Sequence, residues 1–264
     1  MDIERALKEL RRRRPLVHNI TNFVVMNTTA NVLLAIGASP VMAHAIEELE
    51  EMINIADSVV INIGTLDESW VESMIHAVKI ANEYEKPVIL DPVGAGATRY
   101  RTSTALKLIE IGDIYILRGN YSEIKSLIGE KGRTRGVDSI SSGEDAKDVA
   151  VKASEMFNTT AVVTGKVDYV SNGKKCYAIE NGTSMLGCVT GTGCMLTSIM
   201  GAFSAVASPL DAAIASLLTF EIAAEKAEEE APYPGSFHMK LYDWLYRIDE
   251  ELIRKRKKVR EIEP

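Results

Sequence analysis

The sequence predicts an α/β protein in which helices flank an open, mostly parallel central sheet. Short apolar segments rich in β-branched residues end in glycine or polar residues and alternate with longer amphipathic segments. This is the pattern of buried parallel strands joined by helices. After Thr190 we find only helical patterns, whereas an eightfold barrel would continue to alternate strands to its end. We therefore expect an open sheet followed by a C-terminal helical run, folded as a single domain over residues 1–264.

The predicted elements follow one another along the chain. Strands are predicted over residues 57–64, 87–91, 113–117 and 161–165. Helices are predicted over residues 22–36, 46–55, 67–83, 102–110, 122–127 and 142–157, with Asp67, Thr102 and Ser122 among the N-caps. Within residues 168–178, the dipeptide Asn172-Gly173 separates two short strands and is a strong signal for a hairpin. The most membrane-like stretch, residues 201–224, is interrupted by polar residues and proline, so we expect two buried helices there and no membrane span.

Composition and charge argue against several classes of protein. The formal net charge is -7, and binding to a nucleic-acid backbone normally needs a basic face, so no nucleic-acid partner is expected. Two basic blocks, residues 11–14 and 254–258, lie among acidic neighbours and are interpreted as solvated helix faces. The three cysteines form no paired framework and the N-terminus has no signal-peptide core, so we expect a cytoplasmic protein.

The turn Thr190-Gly191-Thr192-Gly193-Cys194 precedes a helical segment and has the composition of an anion-binding turn. Glycines allow the backbone to approach a ligand closely, and N–H groups at a helix start point outward with the positive end of the dipole behind them. A thiol in that field, here Cys194, is expected to have a lowered pKa, so that it could accept a proton or attack an electrophile. With a phosphate bound alongside, this would be a phosphoryl-transfer site. The alternative is a loop shaped by glycines, with Cys194 packed as a small apolar side chain.

Polar residues follow the predicted strands at their carboxyl ends, where ligands bind in open α/β sheets. They are Asn62, Gly64 and Thr65; Asp91 with residues 92–96; Arg118, Gly119, Asn120 and Glu123; and Thr164, Gly165 and Lys166. Asp91 and Glu123 are candidates to hold Mg²⁺ through waters, and Arg118 is a candidate to clamp phosphate oxygens. Each has a structural alternative, namely a strand exit at Asp91, a helix start at Glu123 and a surface ion pair at Arg118.

The sequence lacks motifs of several other chemistries. Gly94-Ala95-Gly96 begins like a dinucleotide fingerprint, but Arg99 stands where the third glycine is required. Neither a Walker loop nor the G-x-S-x-G motif of the α/β-hydrolases occurs. The histidines are scattered without metal-ligand spacing. A bound nucleotide would therefore be held by something other than a Walker loop.

Six segments together resemble the hydroxyethylthiazole kinases, a family of the ribokinase-like superfamily, and the likeness runs from Pro15 to Trp244. The segments are residues 17–22, 37–42, 62–66, 91–97, 118–124 and 190–194. The resemblance implies ATP- and Mg²⁺-dependent phosphorylation of the primary hydroxyl of 4-methyl-5-(2-hydroxyethyl)thiazole, a step of thiamine salvage. It also implies a homotrimer whose substrate sites are shared between neighbouring subunits.

The resemblance also implies roles for individual residues. Met42 and Gly191 would contact the thiazole, Arg118 and Thr164 would contact ATP, and Asp91 and Glu123 would serve the metal. Relatives across the wider superfamily have Asp at the position of Cys194. With the strand-end residues added, the predicted site consists of Cys194, Gly193 and Thr192 for catalysis, Met42, Gly191, Gly64 and Thr65 for the substrate, Arg118, Thr164 and Asn120 for ATP, and Asp91 and Glu123 for Mg²⁺.

The residue types suggest how such a reaction would proceed. The turn before the last helical run would hold the γ-phosphoryl group as charge develops, with Mg²⁺ and Arg118 assisting. An alcohol that attacks a loose, metaphosphate-like centre loses its proton late, so Cys194 is expected to orient the hydroxyl more than to deprotonate it. Apolar residues such as Val41 and Met42 suit a small, weakly polar ring.

Three alternatives remain open. A kinase of the same fold that acts on a hydroxymethylpyrimidine or a sugar would need a more polar substrate pocket. A nucleotide-dependent repair dehydratase would release phosphate without phosphorylating an alcohol. A non-catalytic nucleotide sensor would bind ATP and turn over nothing.

Overall fold

A computed structural model describes residues 3–129 and 143–264 of the chain. Within these two ranges nine strands form one sheet: β1 (Leu16–Ile20), β2 (Ser39–Val41), β3 (Ser58–Asn62), β4 (Val88–Asp91), β5 (Ile116–Asn120), β6 (Thr160–Thr164), β7 (Asp168–Ser171), β8 (Cys176–Ile179) and β9 (Val259–Ile262). The helices in the same ranges are α1 (Ile3–Arg13), α2 (Met26–Ile36), α3 (Ile46–Ile55), α4 (Glu68–Glu83), α5 (Arg99–Ile111), α6 (Tyr121–Leu127), α7 (Gly143–Phe157), α8 (Thr192–Ser204), α9 (Pro209–Glu230), α10 (Pro234–Arg247) and α11 (Glu250–Arg256). A 3₁₀ turn spans Ser184–Cys188 before α8.

The sheet is parallel over most of its width. In the order β2, β1, β3, β4, β5, β6 every neighbouring pair is parallel, and β7, β8 and β9 extend the β6 side with antiparallel pairs. Two pairs of strand ends are in register, because Asn62 pairs with Asp91 and Asn120 pairs with Thr164. Parallel strands end at the same edge of a sheet, so these polar residues are brought together there. The predicted open α/β fold is confirmed.

Two layers of helices cover the two faces of the sheet. Val60 and Ile89 face one core, where α8 packs on the strands and α1, α2, α9 and α10 complete the layer. Their neighbours Ile61 and Leu90 face the other core, which is covered by α3 to α7. Since consecutive side chains on a strand point to opposite faces, a strand with a core on each side must be apolar at nearly every position. This is why the central strands read as continuous apolar runs.

Several local predictions are confirmed. Asp67 caps α4 by accepting a hydrogen bond of 2.8 Å from the backbone N–H of Trp70. Residues 201–204 belong to α8 and residues 209–224 to α9, and these two helices pack against each other. The hairpin β7–β8 turns at Asn172, whose side-chain oxygen accepts from the backbone N–H groups of the two lysines that follow Gly173. None of the helices in the described ranges is long and apolar enough to cross a bilayer.

Other boundaries differ from the prediction for identifiable reasons. Helix α5 is capped by Thr98 and not by Thr102, so it starts a turn earlier than expected. Helix α6 is capped by Asn120 and not by Ser122. The strand expected at 113–117 is shifted to β5 (Ile116–Asn120), and Ser142, the expected start of α7, lies outside the described residues.

The prediction that only helices follow Thr190 is wrong. Strand β9 returns to the sheet and pairs with β8 as an edge strand. Its charged residues conceal it in the sequence, yet they bond across the pair: Arg260 binds Glu180, and Glu261 accepts a hydrogen bond from Tyr177. Charged side chains are common on edge strands, where they discourage pairing with another chain.

Strands β1 and β2 and helix α1 were not predicted from the pattern. In β1 the polar residues His18 and Asn19 interrupt the apolar run, although both are buried. The interpretation of residues 11–14 as a solvated face is wrong for Arg11. Its guanidinium is half-buried and donates hydrogen bonds to the carbonyls of Ile36, Leu245 and Tyr246. Arg11 therefore joins α1 to the ends of α2 and α10.

Candidate active site

The turn 190–194 leads directly into α8, as the sequence predicts. Gly191 is the N-cap and has φ of +82°, a left-handed conformation that favours glycine. A Cβ there would also overlap Cγ1 of Val25, which lies just before α2. The first helical hydrogen bond runs from the N–H of Met195 to the carbonyl of Gly191. The three N–H groups of residues 192–194 precede that bond and are the donors that an anion would use.

Arg118, the middle residue of β5, packs against this turn. A Cβ on Gly193 would lie 2.6 Å from its Nη1 atom, so glycine is what allows the guanidinium to lie there. The same guanidinium donates a hydrogen bond of 2.8 Å from Nη2 to the hydroxyl of Thr164, and its Nη1 lies 3.7 Å from Oδ2 of Asp91. Arg118 therefore connects β5 and the ends of β4 and β6 with the start of α8.

Asp91 is the central acidic group of the site. Its Oδ2 accepts hydrogen bonds from Nδ2 of Asn62 at 3.0 Å and from the hydroxyl of Thr197 at 2.7 Å. The residue is fully buried, and its Oδ1 has no hydrogen-bond partner. Burial raises the pKa of Asp91 to about 6, against the lowering effect of Arg118 and of the two donors. Asp91 is thus anionic at neutral pH with one oxygen available.

Cys194 lies next to this network. Asn22 donates from Nδ2 to Oδ1 of Asn62 at 2.8 Å and to Sγ of Cys194 at 3.5 Å. The expectation that the helix start lowers the pKa of this thiol is wrong. Burial first, and then the charge of Asp91, raise the pKa of Cys194 to about 12. The thiol therefore remains protonated at neutral pH.

Glu123 has the structural role that the sequence left as its alternative. One carboxylate oxygen accepts from the backbone N–H of Asn120 and the other from the backbone N–H of Gly94, each at 2.8 Å. The side chain of Asn120 in turn accepts from the N–H of Glu123 at 2.9 Å, which completes a capping box at the start of α6. Glu123 thereby fixes the turn after β4 to the turn after β5.

The other residues predicted to bind the substrate, Met42, Gly64 and Thr65, follow strands β2 and β3. Met42 is half-buried and directly follows β2, at the same edge of the sheet as the other strand ends. The backbone N–H of Gly64 donates to Asn62, and the hydroxyl of Thr65 accepts from the backbone N–H of Phe23. The ring of Phe23 lies 4.7 Å from the ring of Trp70, so this side of the crevice is apolar.

Thr192 also has a structural contact. Its hydroxyl donates a hydrogen bond of 2.9 Å to the carbonyl of Leu186, and it thus ties the helix start to the preceding 3₁₀ turn. Sequence reasoning did not single out Asn22 or Thr197 as site residues, although both contact groups of the network. The one available signal for Thr197 is its spacing of three from Cys194, which places both on one face of a helix.

Comparison with known proteins identifies the family. The model of the hydroxyethylthiazole kinase family matches residues 7–251. The chain is 66% identical over 261 residues to a hydroxyethylthiazole kinase of Pyrococcus abyssi (strain GE5 / Orsay), which covers 98% of each chain. The chain belongs to the hydroxyethylthiazole kinase family. It is therefore an enzyme of the phosphotransferase class.

Solved structures agree with this assignment. The structure of the hydroxyethylthiazole kinase protein from Pyrococcus horikoshii OT3 superimposes with a TM-score of 0.93 at 60% identity, over 99% of each chain. A ribokinase-like superfamily protein from Enterococcus faecalis V583 gives a TM-score of 0.63 at 13% identity, over 89% of this chain and 87% of the other. That second likeness concerns the fold alone. This member of the hydroxyethylthiazole kinase family thus has a ribokinase-like fold.

Proposed function

We propose that this chain transfers the γ-phosphoryl group of ATP to the primary hydroxyl of 4-methyl-5-(2-hydroxyethyl)thiazole. The observation that carries the proposal is the convergence of the α8 start with Arg118 and Asp91. Such an arrangement supplies N–H donors and a cation for a phosphoryl group, and phosphoryl transfer depends mainly on positioning and charge stabilisation. The hydroxyethylthiazole kinases to which the chain is similar indicate the identity of the acceptor.

Arg118 and Thr164 are proposed to contact ATP, with Asn120 nearby. In the structure the guanidinium is shared between Thr164 and Asp91, and Nε of Arg118 is buried without a hydrogen-bond partner. Donors of Arg118 can thus turn towards phosphate oxygens, which it can bind in bidentate fashion. That movement would break the 3.7 Å ion pair between Nη1 of Arg118 and Oδ2 of Asp91.

Asp91 is the residue proposed to hold Mg²⁺ through waters. Its buried Oδ1 has no partner, and an unpaired carboxylate oxygen beside a phosphate site fits the oxygen-ligand preference of Mg²⁺. Glu123 fits this role less well, because both of its oxygens already accept backbone N–H groups. The described residues contain no group of three or more His, Cys, Asp or Glu side chains arranged to hold a metal, so most ligands would be waters and phosphate oxygens. When bound, the cation would neutralise charge on the transferred group.

Cys194 is proposed to orient the acceptor hydroxyl as a neutral thiol. With a pKa of about 12 the sulfur is neither a useful base nor a thiolate nucleophile at neutral pH. Its hydrogen bond from Asn22 fixes the position of the sulfur beside the turn. In a loose transition state the alcohol loses its proton late, so orientation is the larger need.

The thiazole is proposed to bind on the apolar side, against Met42, Gly191 and the segment of Gly64 and Thr65. Phe23 and Val24 are 59% and 63% exposed beside it, which leaves apolar surface that a second subunit of a trimer would cover. We place the enzyme in the cytoplasm, where the three unpaired cysteines would remain reduced.

Measurement of ADP release with and without the thiazole alcohol tests the proposal. We expect ADP to form only with the alcohol, in equal amount to a thiazole phosphate ester identified by mass spectrometry. A hydroxymethylpyrimidine and a simple sugar serve as comparison acceptors and should be poor. Release of inorganic phosphate without an ester, or preference for a comparison acceptor, would contradict the proposal.

A further inference from the structure

Two buried carboxyl groups outside the network of Asp91 form a pair with each other. Asp168, the first residue of β7, is 4% exposed, and Glu221, in the middle of α9, is 5% exposed. Their side chains are hydrogen-bonded to each other. A carboxylate only accepts hydrogen bonds, so a bond between two carboxyl groups requires that one of them carries a proton.

Glu221 is the member that holds the proton. Burial and the neighbouring Asp168 carboxylate raise the pKa of Glu221 well above its ordinary value. Its Oε2 has no hydrogen-bond partner, whereas Oδ1 of Asp168 accepts a hydrogen bond of 2.8 Å from the backbone N–H of Gly165. Two other charged groups act on the pair: Arg118 from β5 favours its negative charge, and Glu225 on α9 opposes a charge on Glu221. The pair therefore carries one negative charge.

Asp168 connects the pair to the turn that follows β6. Gly165 comes directly after Thr164, whose hydroxyl accepts the hydrogen bond from Arg118. Residues 165–167 are the whole connection between β6 and β7, so the hydrogen bond from Gly165 to Asp168 spans this turn. Asp168 thus links Glu221 to the turn beside Thr164.

We propose that Glu221 is a positioning residue for ATP: its protonated carboxyl group holds Asp168, and Asp168 holds the Thr164–Gly165 turn in the geometry that ATP requires. The inference rests on the proposed contact between Thr164 and ATP. Ionisation of Glu221 would place a second negative charge against Asp168 in a buried environment, where like charges repel strongly. The turn would then shift, and ATP would bind more weakly.

Binding of ATP alone, measured by calorimetry from neutral to alkaline pH, tests this role without depending on the thiazole. We expect the Kd of the wild type to rise with pH by about tenfold once Glu221 ionises, the effect of roughly one lost hydrogen bond to a charged group. Glu221→Gln keeps a donor for Asp168 but cannot ionise, so its Kd should equal that of the wild type at neutral pH and stay constant. Glu228→Gln on the same helix is the matched control and should follow the wild type.

A purely structural role for Glu221 would give a different result. The Kd of Glu221→Gln would then show the same pH dependence as the wild type, which overturns the inference. A third variant, Glu221→Leu, removes the donor and should raise the Kd at every pH; an unchanged Kd in a folded protein would also overturn it. The Kd for ATP is also compared in K⁺ and in Na⁺ buffer. A difference that is present in the wild type and absent in Glu221→Gln would show that a cation, and not a proton, neutralises the pair, and it would overturn the inference. If the thiazole is not phosphorylated but the Kd for ATP still changes with pH as expected, the proposed function is contradicted and the inference about Glu221 is not.

Discussion

At the scale of single residues, Cys194 shows that burial can outweigh a helix dipole. A helix start contributes about 1 kcal/mol to the ionisation of a nearby group. A pKa raised from 9.0 to about 12 corresponds to about 4 kcal/mol in the opposite direction. The removal of the thiol from water beside Asp91 therefore decides its protonation. The sequence predicts the position of Cys194 but not this environment, because desolvation depends on what packs over the residue.

Substitution of Cys194 tests its role. Cys194→Ala should lower kcat by roughly 10- to 1000-fold, because the group that orients the hydroxyl is lost. Cys194→Asp should keep or raise kcat, since Asn22, Asn62 and Arg118 favour a carboxylate there against burial and the charge of Asp91. A carboxylate also binds an alcohol more strongly than a thiol does. The kcat of the wild type should be constant near pH 9.0, where an ordinary thiol ionises, whereas that of Cys194→Asp should fall at low pH.

Steady-state kinetics over pH provide the measurement, and mass spectrometry of the enzyme provides the control. Loss of all activity in Cys194→Asp, together with a phosphocysteine in the wild type, would contradict direct in-line transfer.

Gly193 offers a second test at this scale. Gly193→Ala places a Cβ against Nη1 of Arg118, and the flexible guanidinium must move away from the turn. We expect kcat/KM for ATP to fall by about tenfold or more, as for loss of a charged group from a preorganised site. Gly235→Ala, whose Cβ would have no neighbour within 4 Å, is the matched control and should leave kinetics unchanged. Equal kinetics in both variants would show that the position of Arg118 at the turn does not matter.

At the scale of elements, the strand ends were the predictable part of the site. Asn62, Asp91, Arg118 and Thr164 could be placed together because parallel strands end at one edge of a sheet. The partners that come from elsewhere could not. Asn22 belongs to the connection after β1, a strand that polar residues conceal, and Glu221 lies in an apolar helix with no signal around it. Contacts between distant elements depend on packing, which a periodic pattern does not contain.

Substitution of Glu123 distinguishes a role in capping α6 from a role in binding Mg²⁺. Glu123→Gln loses an acceptor for one of two backbone N–H groups, so it should lower the free energy of unfolding by about 1 kcal/mol. If Glu123 also serves Mg²⁺, the concentration of Mg²⁺ needed for half-maximal activity should rise as well. Asp67→Ala is the control, because it removes the cap of α4 away from the network of Asp91. It should show the loss of stability with an unchanged Mg²⁺ requirement.

Thermal unfolding and a Mg²⁺ titration of both variants give the answer. A titration of Glu123→Gln that superimposes on that of the wild type would leave Glu123 a purely structural residue. Asp91 would then be the remaining carboxylate of the pair that the sequence predicts for Mg²⁺.

At the scale of the whole molecule, helices α2 and α10 carry exposed apolar side chains that are candidates for contacts between subunits. Leu34 on α2 is 56% exposed, and Met239 and Tyr246 on the adjoining α10 are 64% and 74% exposed. Val24, next to the apolar side of the crevice, belongs to the same layer. Apolar residues clustered in this way mark interaction surfaces. They support the predicted assembly, in which neighbouring copies share the substrate site.

We expect the protein to sediment at three times the 28.9 kDa of one chain. Leu34→Glu places a charge in the apolar surface and should dissociate the trimer, because an unpaired charge is costly to bury. If the substrate site is shared, activity should be lost together with the assembly. Ile55→Glu is the matched control, since Ile55 is 63% exposed but lies on α3 in the opposite layer. Its mass and activity should equal those of the wild type. An active monomer at the assay concentration, in the wild type or in Leu34→Glu, would refute the shared site.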